Sequence, residues 1–211
     1  MKKLMLLALS LILLQPATQV FAKDELPFHF TAPVSKKLTS AQLDAAEKNS
    51  TVGVVDKAKN TLTFSGEAVS IVVRTGPEDD MLSYRIQGVR NPTIVLGEMT
   101  SLKVLFVNVD EDMFHDFRVG DVKVPFKSKP DTSKTAGSEH LGQVIKDVYN
   151  AQEFGYHLHD KGILRYFCSV GSHAKNGMWG TIVVGDVPIP VPDKQSPHGD
   201  HDHGMKGMPG M

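Results

Sequence analysis

The sequence predicts an all-β fold, a β-sandwich with one short helix near its N-terminus. Ten short runs rich in Val, Ile, Thr and Phe are separated by turn residues, and such spacing is typical of a sandwich. One run, residues 102–109, is apolar at nearly every position, as expected for a central strand. Only one segment carries a clear helix signal, so helices cannot supply the core.

The first 22 residues have the features of a secretory signal peptide. Lys2 and Lys3 precede an apolar run at 4–14 that is too short to span a bilayer, and a small-residue cleavage site ends at Ala22. An uncleaved anchor is the alternative. Cleavage after Ala22 moves the formal net charge from −1 to −3. No later run approaches about 20 apolar residues, so no membrane span is expected after cleavage. A dilysine start without acids suits bacterial export, which predicts the periplasm.

The predicted domain covers residues 38–186. Residues 23–37, with Pro27 and Pro33, indicate an extended lead-in. Thr39 and Gln42 form a capping-box pattern, which predicts a short helix that ends near Lys48.

Strand signals dominate the rest of the domain. The predicted strands are 52–55, 61–64, 68–74, 82–87, 93–96, 102–109, 114–119, 154–159, 163–168 and 180–184. Residues 120–152 contain prolines, lysines and hydroxyl residues and predict a long excursion from the sandwich. Within it, residues 141–148 fit either a short strand or a turn of helix.

The C-terminal segment, residues 187–211, differs in composition from the domain. Alternating prolines favour an extended exit, and the last fourteen residues contain three His and three Met with little else to bury. We expect this tail to be disordered. His- and Met-rich tracts bind copper without a fold, so additional copper at the tail is a second expectation.

Composition excludes some classes of function. A formal net charge of −1 does not fit a protein that binds nucleic acid through bulk positive charge. No catalytic triad or paired-acid signature stands out, so we expect a protein that is not an enzyme. Oligomeric state cannot be deduced from these patterns.

The single cysteine, Cys168, is the most informative residue. An exported protein meets an oxidising compartment in which cysteines usually pair, yet Cys168 has no partner in the chain. It is therefore a reactive thiol, half of an intermolecular bridge, a metal ligand or a small buried hydrophobe.

The neighbours of Cys168 favour a metal site. Cys168, His173 and Met178 follow one another as C-x4-H-x4-M between two predicted strands, and His115 follows the central strand. Two imidazoles, one thiolate and a weak thioether are the donor set of a type 1, or blue, copper site. Zinc is the competing metal, but it rarely takes Met. We therefore predict copper as the cofactor, bound by His115, Cys168, His173 and Met178.

These residues resemble the cupredoxin family of blue copper proteins. The family motif is aromatic-x-C-x-x-P-G-H-x-x-x-G-M-x-G followed by a strand, and it is matched from Phe167 to Gly180. The resemblance extends more weakly over residues 38–184. It implies an antiparallel Greek-key sandwich with copper at one end. It also implies a one-electron carrier. For such a carrier we expect His173 to be the partly exposed ligand, with redox partner proteins docking transiently near it.

Two departures from the family pattern bear on the site. Gly171 and Ser172 stand where the family has Pro-Gly, which loosens the ligand loop. Asp116 stands where the family has Ser or Asn, whose side chain orients the cysteine loop. A negative charge there should favour Cu(II) and lower the reduction potential.

Other patterns refine the expected function. A binuclear centre needs two cysteines, and a multicopper oxidase has His beside its cysteine, where Phe167 and Ser169 stand here. Residues 110–112 are acidic and indicate a solvated turn. His157 and His159 share one strand face and suit a surface role. The alternative function is copper carriage, storage or tolerance through the tail.

Overall fold

The computed structural model describes residues 26–190 as a sandwich of two β-sheets. The predicted signal peptide at 1–22 and the His- and Met-rich tract lie outside the described residues. Among residues 26–190, no helix has the length and apolar character needed to cross a bilayer.

The first sheet has six strands in the order β1-β11-β8-β4-β5-β6. Their bounds are β1 His29–Thr39, β4 Ala68–Thr75, β5 Tyr84–Ile86, β6 Val89–Arg90, β8 Thr100–Asn108 and β11 Val148–Leu158. The long strand β8 lies between β11, to which it is antiparallel, and β4, to which it is parallel. This places the most apolar strand in the interior of the sheet, as predicted.

The second sheet has seven strands in the order β10-β9-β12-β13-β7-β3-β2. Their bounds are β2 Val54–Asp56, β3 Thr61–Thr63, β7 Thr93–Leu96, β9 Arg118–Gly120, β10 Thr135–Gly137, β12 Gly162–Phe167 and β13 Trp179–Val184. β7 pairs in parallel with both β3 and β13. The predicted all-β sandwich is confirmed, and both sheets mix parallel pairs with the expected antiparallel ones.

The core lies between the sheets. Alternate residues of each strand point inward, so Val104 and Phe106 of β8 join Tyr166 and Ile182 of the second sheet in one buried cluster. Cys168 and Met178 belong to the same cluster. The predicted copper end of the molecule is therefore a continuation of the hydrophobic core.

Within residues 26–190 there is one α-helix, α1 (Ser40–Lys48), which packs on the outer face of the first sheet. Thr39 is its N-cap and forms the predicted capping box with Gln42. Leu43 packs against Val72 and Val107, which point away from the inter-sheet core. The helix therefore buries apolar side chains that the sheet alone would leave in water.

The lead-in and the excursion both differ from expectation, because β1 lies largely within the first, and β10 and the first residues of β11 lie within the second. His29–Thr39 is an eleven-residue strand paired with β11, so the sandwich begins before residue 38 and includes much of 23–37. Its polar, largely exposed side chains gave no alternating apolar signal. The segment after β9 packs Phe126 against Phe167 and Trp179 on the outer face of the second sheet. Residues 141–148 form neither a regular strand nor a helix until β11 begins at Val148.

Candidate metal centre

The predicted ligands gather at one end of the sandwich. Cys168 directly follows β12, and the loop that carries His173 and Met178 leads into β13. His115 arrives from the other side, in the segment between β8 and β9, where it forms an isolated bridge with Leu141. Two amide-to-carbonyl hydrogen bonds of 2.7 and 3.1 Å form this bridge. The fold thus brings residues 53 positions apart to one point.

His115, Cys168 and His173 form a compact donor cluster. One potential ligand atom from each lies within 4.8 Å of the others. The Cys168 Sγ is 3.8 Å from the His115 Nδ1 and 3.4 Å from the His173 Nδ1. Cys168 and His115 are fully buried, whereas His173 is half-buried. Among residues 26–190 this is the one group of His, Cys or acidic side chains that meets these distances.

Met178 is tied to the cluster through its main chain. The Cys168 amide donates to the Met178 carbonyl at 3.1 Å, and the Met178 amide donates to the His173 carbonyl at 3.0 Å. The Met178 side chain is fully buried in the same core cluster as Cys168. These contacts suit a thioether beside the thiol, and the role of Met178 as a fourth ligand remains a prediction.

The ligand loop, residues 168–178, is held by turns at two glycines and by a hydrogen bond from Asn91, which follows β6. Gly171 and Gly177 have φ of +48° and +103°, a region in which side chains are strained, so glycine is favoured at both positions. The Asn91 Nδ2 donates to the Gly177 carbonyl at 2.9 Å, and its Oδ1 accepts the Tyr84 amide at 2.8 Å. Asn91 therefore joins the β5–β6 hairpin to the residue before Met178.

Asp110 contacts the outer nitrogen of His115. Its Oδ2 lies 3.0 Å from the His115 Nε2, and its Oδ1 accepts the amides of Asp112 and Met113 at 2.7 and 2.9 Å. Asp110 is only 6% exposed, so the expectation of a solvated turn is wrong for this residue, although Glu111 and Asp112 are exposed. A carboxylate in this position fixes the ring so that Nδ1 faces the sulfur.

Sequence reasoning missed Asp110 because it stands in a run of acids that looks like an ordinary turn. The available signal was an acidic residue shortly before a candidate histidine ligand. Asn108 supports the same loop from the end of β8, since its Nδ2 lies 2.9 to 3.1 Å from the carbonyls of Met113, Leu141 and Gly142.

Asp116 orients the segment that follows the cysteine. The side chain is fully buried and accepts the Ser169 amide at 2.6 Å and the Ser169 hydroxyl. The Nε2 of the exposed His140 lies 3.3 Å from the same carboxylate. Asp116 thus takes the positioning role expected of Ser or Asn, but it adds a negative charge beside the cluster.

Burial shifts the pKa of each of the three donors so that its uncharged form is favoured. Desolvation, assisted by the Asp116 charge, raises the pKa of the Cys168 thiol well above its usual value. Desolvation and the nearby His115 lower the pKa of His173 to about 4. Desolvation also lowers the pKa of His115, against the opposing effect of Asp110. Both imidazoles are therefore neutral at pH 7, and the thiolate requires a cation beside it. This donor set fits a bound soft or borderline metal ion.

Trp179 and two of the histidines lie outside this cluster. Trp179, which follows Met178, packs on the outer face of the second sheet, where the Arg165 guanidinium lies 5.7 Å from its ring centroid. His157 lies at the far end of β11 and His159 directly follows that strand, and both are half-buried at the surface.

Comparison with known proteins places this arrangement in a class. No protein-family model matches the chain. The curated rusticyanin of Acidithiobacillus ferrooxidans is 28% identical over 127 residues, which are 59% of this chain and 81% of the relative. The rusticyanin of Acidithiobacillus ferridurans is 26% identical over 59% of this chain and 67% of its own length.

Solved structures agree with the sequence relatives. A rusticyanin structure from Thiobacillus ferrooxidans matches with a TM-score of 0.67 and 25% identity over 73% of this chain and 99% of that chain. A crystal structure of rusticyanin variants gives the same TM-score with 27% identity, over 72% of this chain and 97% of that chain. The fold is the cupredoxin fold of these rusticyanin structures. Within that fold, the chain is similar to rusticyanin in both sequence and structure.

Proposed function

We propose that this protein is a periplasmic type 1 copper protein that carries one electron at a time by cycling between Cu(II) and Cu(I). The observation that carries the proposal is the convergence of two histidine Nδ1 atoms on the buried Cys168 sulfur. The similarity to rusticyanin supports the same class of function.

The donor set explains the choice of metal. His115, Cys168 and His173 would hold copper, with Met178 as a weak fourth ligand. Thiolate and thioether suit Cu(I), and imidazole suits both oxidation states, so bound copper supplies reversible one-electron chemistry at this site. A zinc ion at this site could not carry an electron, because zinc has no redox activity.

The chain itself holds the donors in place and excludes water. Asp110 fixes the His115 ring, Asp116 fixes the segment after Cys168, and Asn91 fixes the loop before Met178. These groups are buried, so solvent cannot easily replace their contacts. A site that is rigid in both oxidation states changes little when an electron enters or leaves.

His173 offers the route for the electron. It is half-buried, whereas the other three predicted ligands are fully buried. The segments that build this end of the sandwich also expose apolar side chains, with Phe114 at 50% and Ile145 at 64% exposure. A small apolar surface of this kind suits brief docking of redox partner proteins.

The test is the visible spectrum of the copper-loaded protein. We expect a strong thiolate-to-copper absorption at one copper per chain, and we expect Cys168→Ser to abolish it. Ser169→Ala is the matched control, since it changes the next side chain without removing a proposed ligand. Absorption that persists in Cys168→Ser would overturn the site assignment. Reversible voltammetry at a stable potential then tests electron transfer itself.

A second candidate function is copper carriage, storage or tolerance through the C-terminal tract. Its support is composition alone: three His and three Met lie between His198 and Met211. Copper stoichiometry should be compared in the full chain and in a chain that lacks residues 198–211. An equal copper count in both chains would remove this candidate, whereas a higher count in the full chain would support it.

Export is tested separately. The proposed signal peptide predicts a mature N-terminus at Lys23, and mass spectrometry of protein recovered from the periplasmic fraction measures it. A chain that keeps residues 1–22 would contradict cleavage and favour the anchor.

A further inference from the structure

Three histidines cluster at the end of the sandwich opposite the predicted copper centre. His29 begins β1 and lies directly opposite His157 of β11 in the strand register. His159 follows the last residue of β11. Because β1 and β11 are antiparallel, the start of one strand meets the end of the other, and the three rings share one surface.

The spacing of the rings suits a shared metal ion. The His29 and His159 ring centroids are 4.9 Å apart, and those of His29 and His157 are 6.4 Å apart. Imidazoles that share one ion with bonds of about 2.0–2.1 Å have ring centroids roughly 5 Å apart. The His29–His159 spacing matches this value, whereas the His29 and His157 rings are farther apart and nearly parallel. The three donor nitrogens therefore do not yet lie within 4.8 Å of one another, and the side chains must rotate to reach one ion. His29 is exposed and the other two are half-buried, so an ion can reach them from solvent.

Two of the rings already have partners that would orient them. The His157 Nδ1 lies 3.1 Å from the Ser101 hydroxyl, and the His159 Nδ1 lies 3.2 Å from an Asp160 carboxylate oxygen. Both contacts use Nδ1, so a metal would be bound through Nε2. An oxygen partner on the second ring nitrogen is typical of histidines that ligate metals.

We propose that His29, His157 and His159 form a second, surface site for a divalent transition metal, and that Cu²⁺ is the ion it binds most tightly. Imidazole suits both Cu²⁺ and Zn²⁺, and Cu²⁺ heads the usual order of affinity for a given nitrogen site. Three ligands on an open surface leave room for water. The ion would therefore be in a tetragonal environment without sulfur, unlike that of the cysteine site.

The second site is independent of the first in space. Ser101, which contacts His157, stands near the start of β8, whereas the loop that carries His115 leaves β8 after Asn108. Seven residues of strand separate these positions, or roughly 23 Å at about 3.3 Å per residue. The two sites therefore share no ligand.

The C-terminal tract is attached at the same end of the molecule. β13 ends at Val184, opposite Gly162, which is three residues beyond His159. The three histidines beyond residue 190 are further candidate copper donors, so the experiment must remove them. We choose His198→Gln, His201→Gln and His203→Gln together as the background.

The test is a Cu²⁺ titration of the full chain in that background, after the first equivalent of copper has been added. Electron paramagnetic resonance distinguishes a tetragonal nitrogen-bound signal from that of a thiolate-bound copper. We expect one further tetragonal Cu²⁺ per chain. Adding His157→Gln and His159→Gln should weaken its binding at least ~10-fold, since loss of even an outer-sphere partner costs about 10–100-fold.

Thr31→Ala is the control, because it changes an exposed side chain on β1 without removing a nitrogen donor. It should leave the further copper in place. The proposal is overturned if the background chain takes no tetragonal copper, or if the double histidine variant binds it as tightly. Far-UV circular dichroism confirms that each variant is folded. Because the readout depends on His157 and His159, it stands even if the cysteine site proves not to hold copper.

Discussion

At the scale of single residues, Asp110 shows how a buried acid can control a histidine ligand. It contacts the His115 Nε2 at 3.0 Å while two main-chain amides hold its other oxygen. Burial alone would raise the Asp110 pKa, but the His115 contact and these amide bonds outweigh it, so the pKa lies below its ordinary value. The carboxylate is therefore charged at neutral pH.

We predict that Asp110→Asn weakens copper binding about 10–100-fold, because it removes the charge that supports the ligand ring. Competition with a chelator of known affinity measures the change. Glu111→Gln is the matched control, since it removes an exposed neighbouring charge. Equal copper affinity in both variants would show that the Asp110 contact is only structural.

Asp116 is predicted to lower the reduction potential. Its buried charge disfavours the Cys168 thiolate, and a negative charge likewise stabilises Cu(II) over Cu(I). Asp116→Asn removes the charge and keeps an oxygen that can accept the Ser169 amide. We expect the potential to rise by on the order of tens of millivolts, where about 59 mV is a tenfold change for one electron. Voltammetry measures it.

The exposed Asp112 provides the comparison for this experiment. Asp112→Asn removes a charge from the same end of the protein, but solvent screens that charge. Its potential should stay near that of the wild type. A potential that falls in Asp116→Asn would contradict the electrostatic explanation.

At the scale of elements, the β5–β6 hairpin supports the ligand loop through Asn91. This residue follows β6, has φ of +41°, and bonds both the Tyr84 amide and the Gly177 carbonyl. Asparagine tolerates left-handed backbone better than most side chains. The positive φ and the two hydrogen bonds therefore all favour asparagine at position 91.

We predict that Asn91→Ala lowers the free energy of unfolding by about 1–3 kcal/mol, because a buried amide loses its acceptor. Chemical denaturation of the metal-free protein measures the change. Asn91→Gly loses the same bonds but accepts the positive φ, so it should be no less stable than Asn91→Ala. Wild-type stability in both variants would exclude Asn91 as a support of the loop.

At the scale of the whole molecule, Asp80 forms a charged clamp with two arginines, and this clamp couples the stability of the fold to pH. Its carboxylate accepts hydrogen bonds from Arg85 at 2.7 Å and from Arg90 at 2.7 and 3.0 Å. Desolvation opposes the charged form, but these bonds prevail and lower the Asp80 pKa. The clamp connects the turn after β4 to both strands of the β5–β6 hairpin.

We predict that Asp80→Asn destabilises the protein at pH 7 by about 1 kcal/mol, a figure that allows for solvent screening of a partly exposed group. Because the folded pKa is depressed, this stabilisation is complete above the unfolded value of about 3.9 and is lost as pH falls through the folded value. Unfolding curves of wild type and variant should therefore converge below about pH 4. Asp79→Asn changes the exposed neighbour and should match the wild type throughout.

Local sequence signals predicted the elements whose conformation is set by residues close to one another in the sequence. The capping box at Thr39 predicted the helix, and β-branched and aromatic runs predicted most strands. Short edge strands such as β6 and β10 were not predicted, because two or three residues are too few to show an alternation of apolar and polar side chains. β1 escaped because its side chains are mainly exposed, and its partner β11 lies more than a hundred residues away.

By itself, the sequence predicted the donor set. Cys168, His173 and Met178 lie within eleven residues of one loop, so their types and spacing predict the chemistry without knowledge of the fold. Only the tertiary structure shows which residues from other segments complete the candidate site and support this loop. Sheet packing brings His115 within 3.8 Å of the sulfur, buries Asp110 behind it, and gathers His29, His157 and His159 at the far end. The physical reason is that burial and contact between distant strands depend on register and packing, which no short segment encodes.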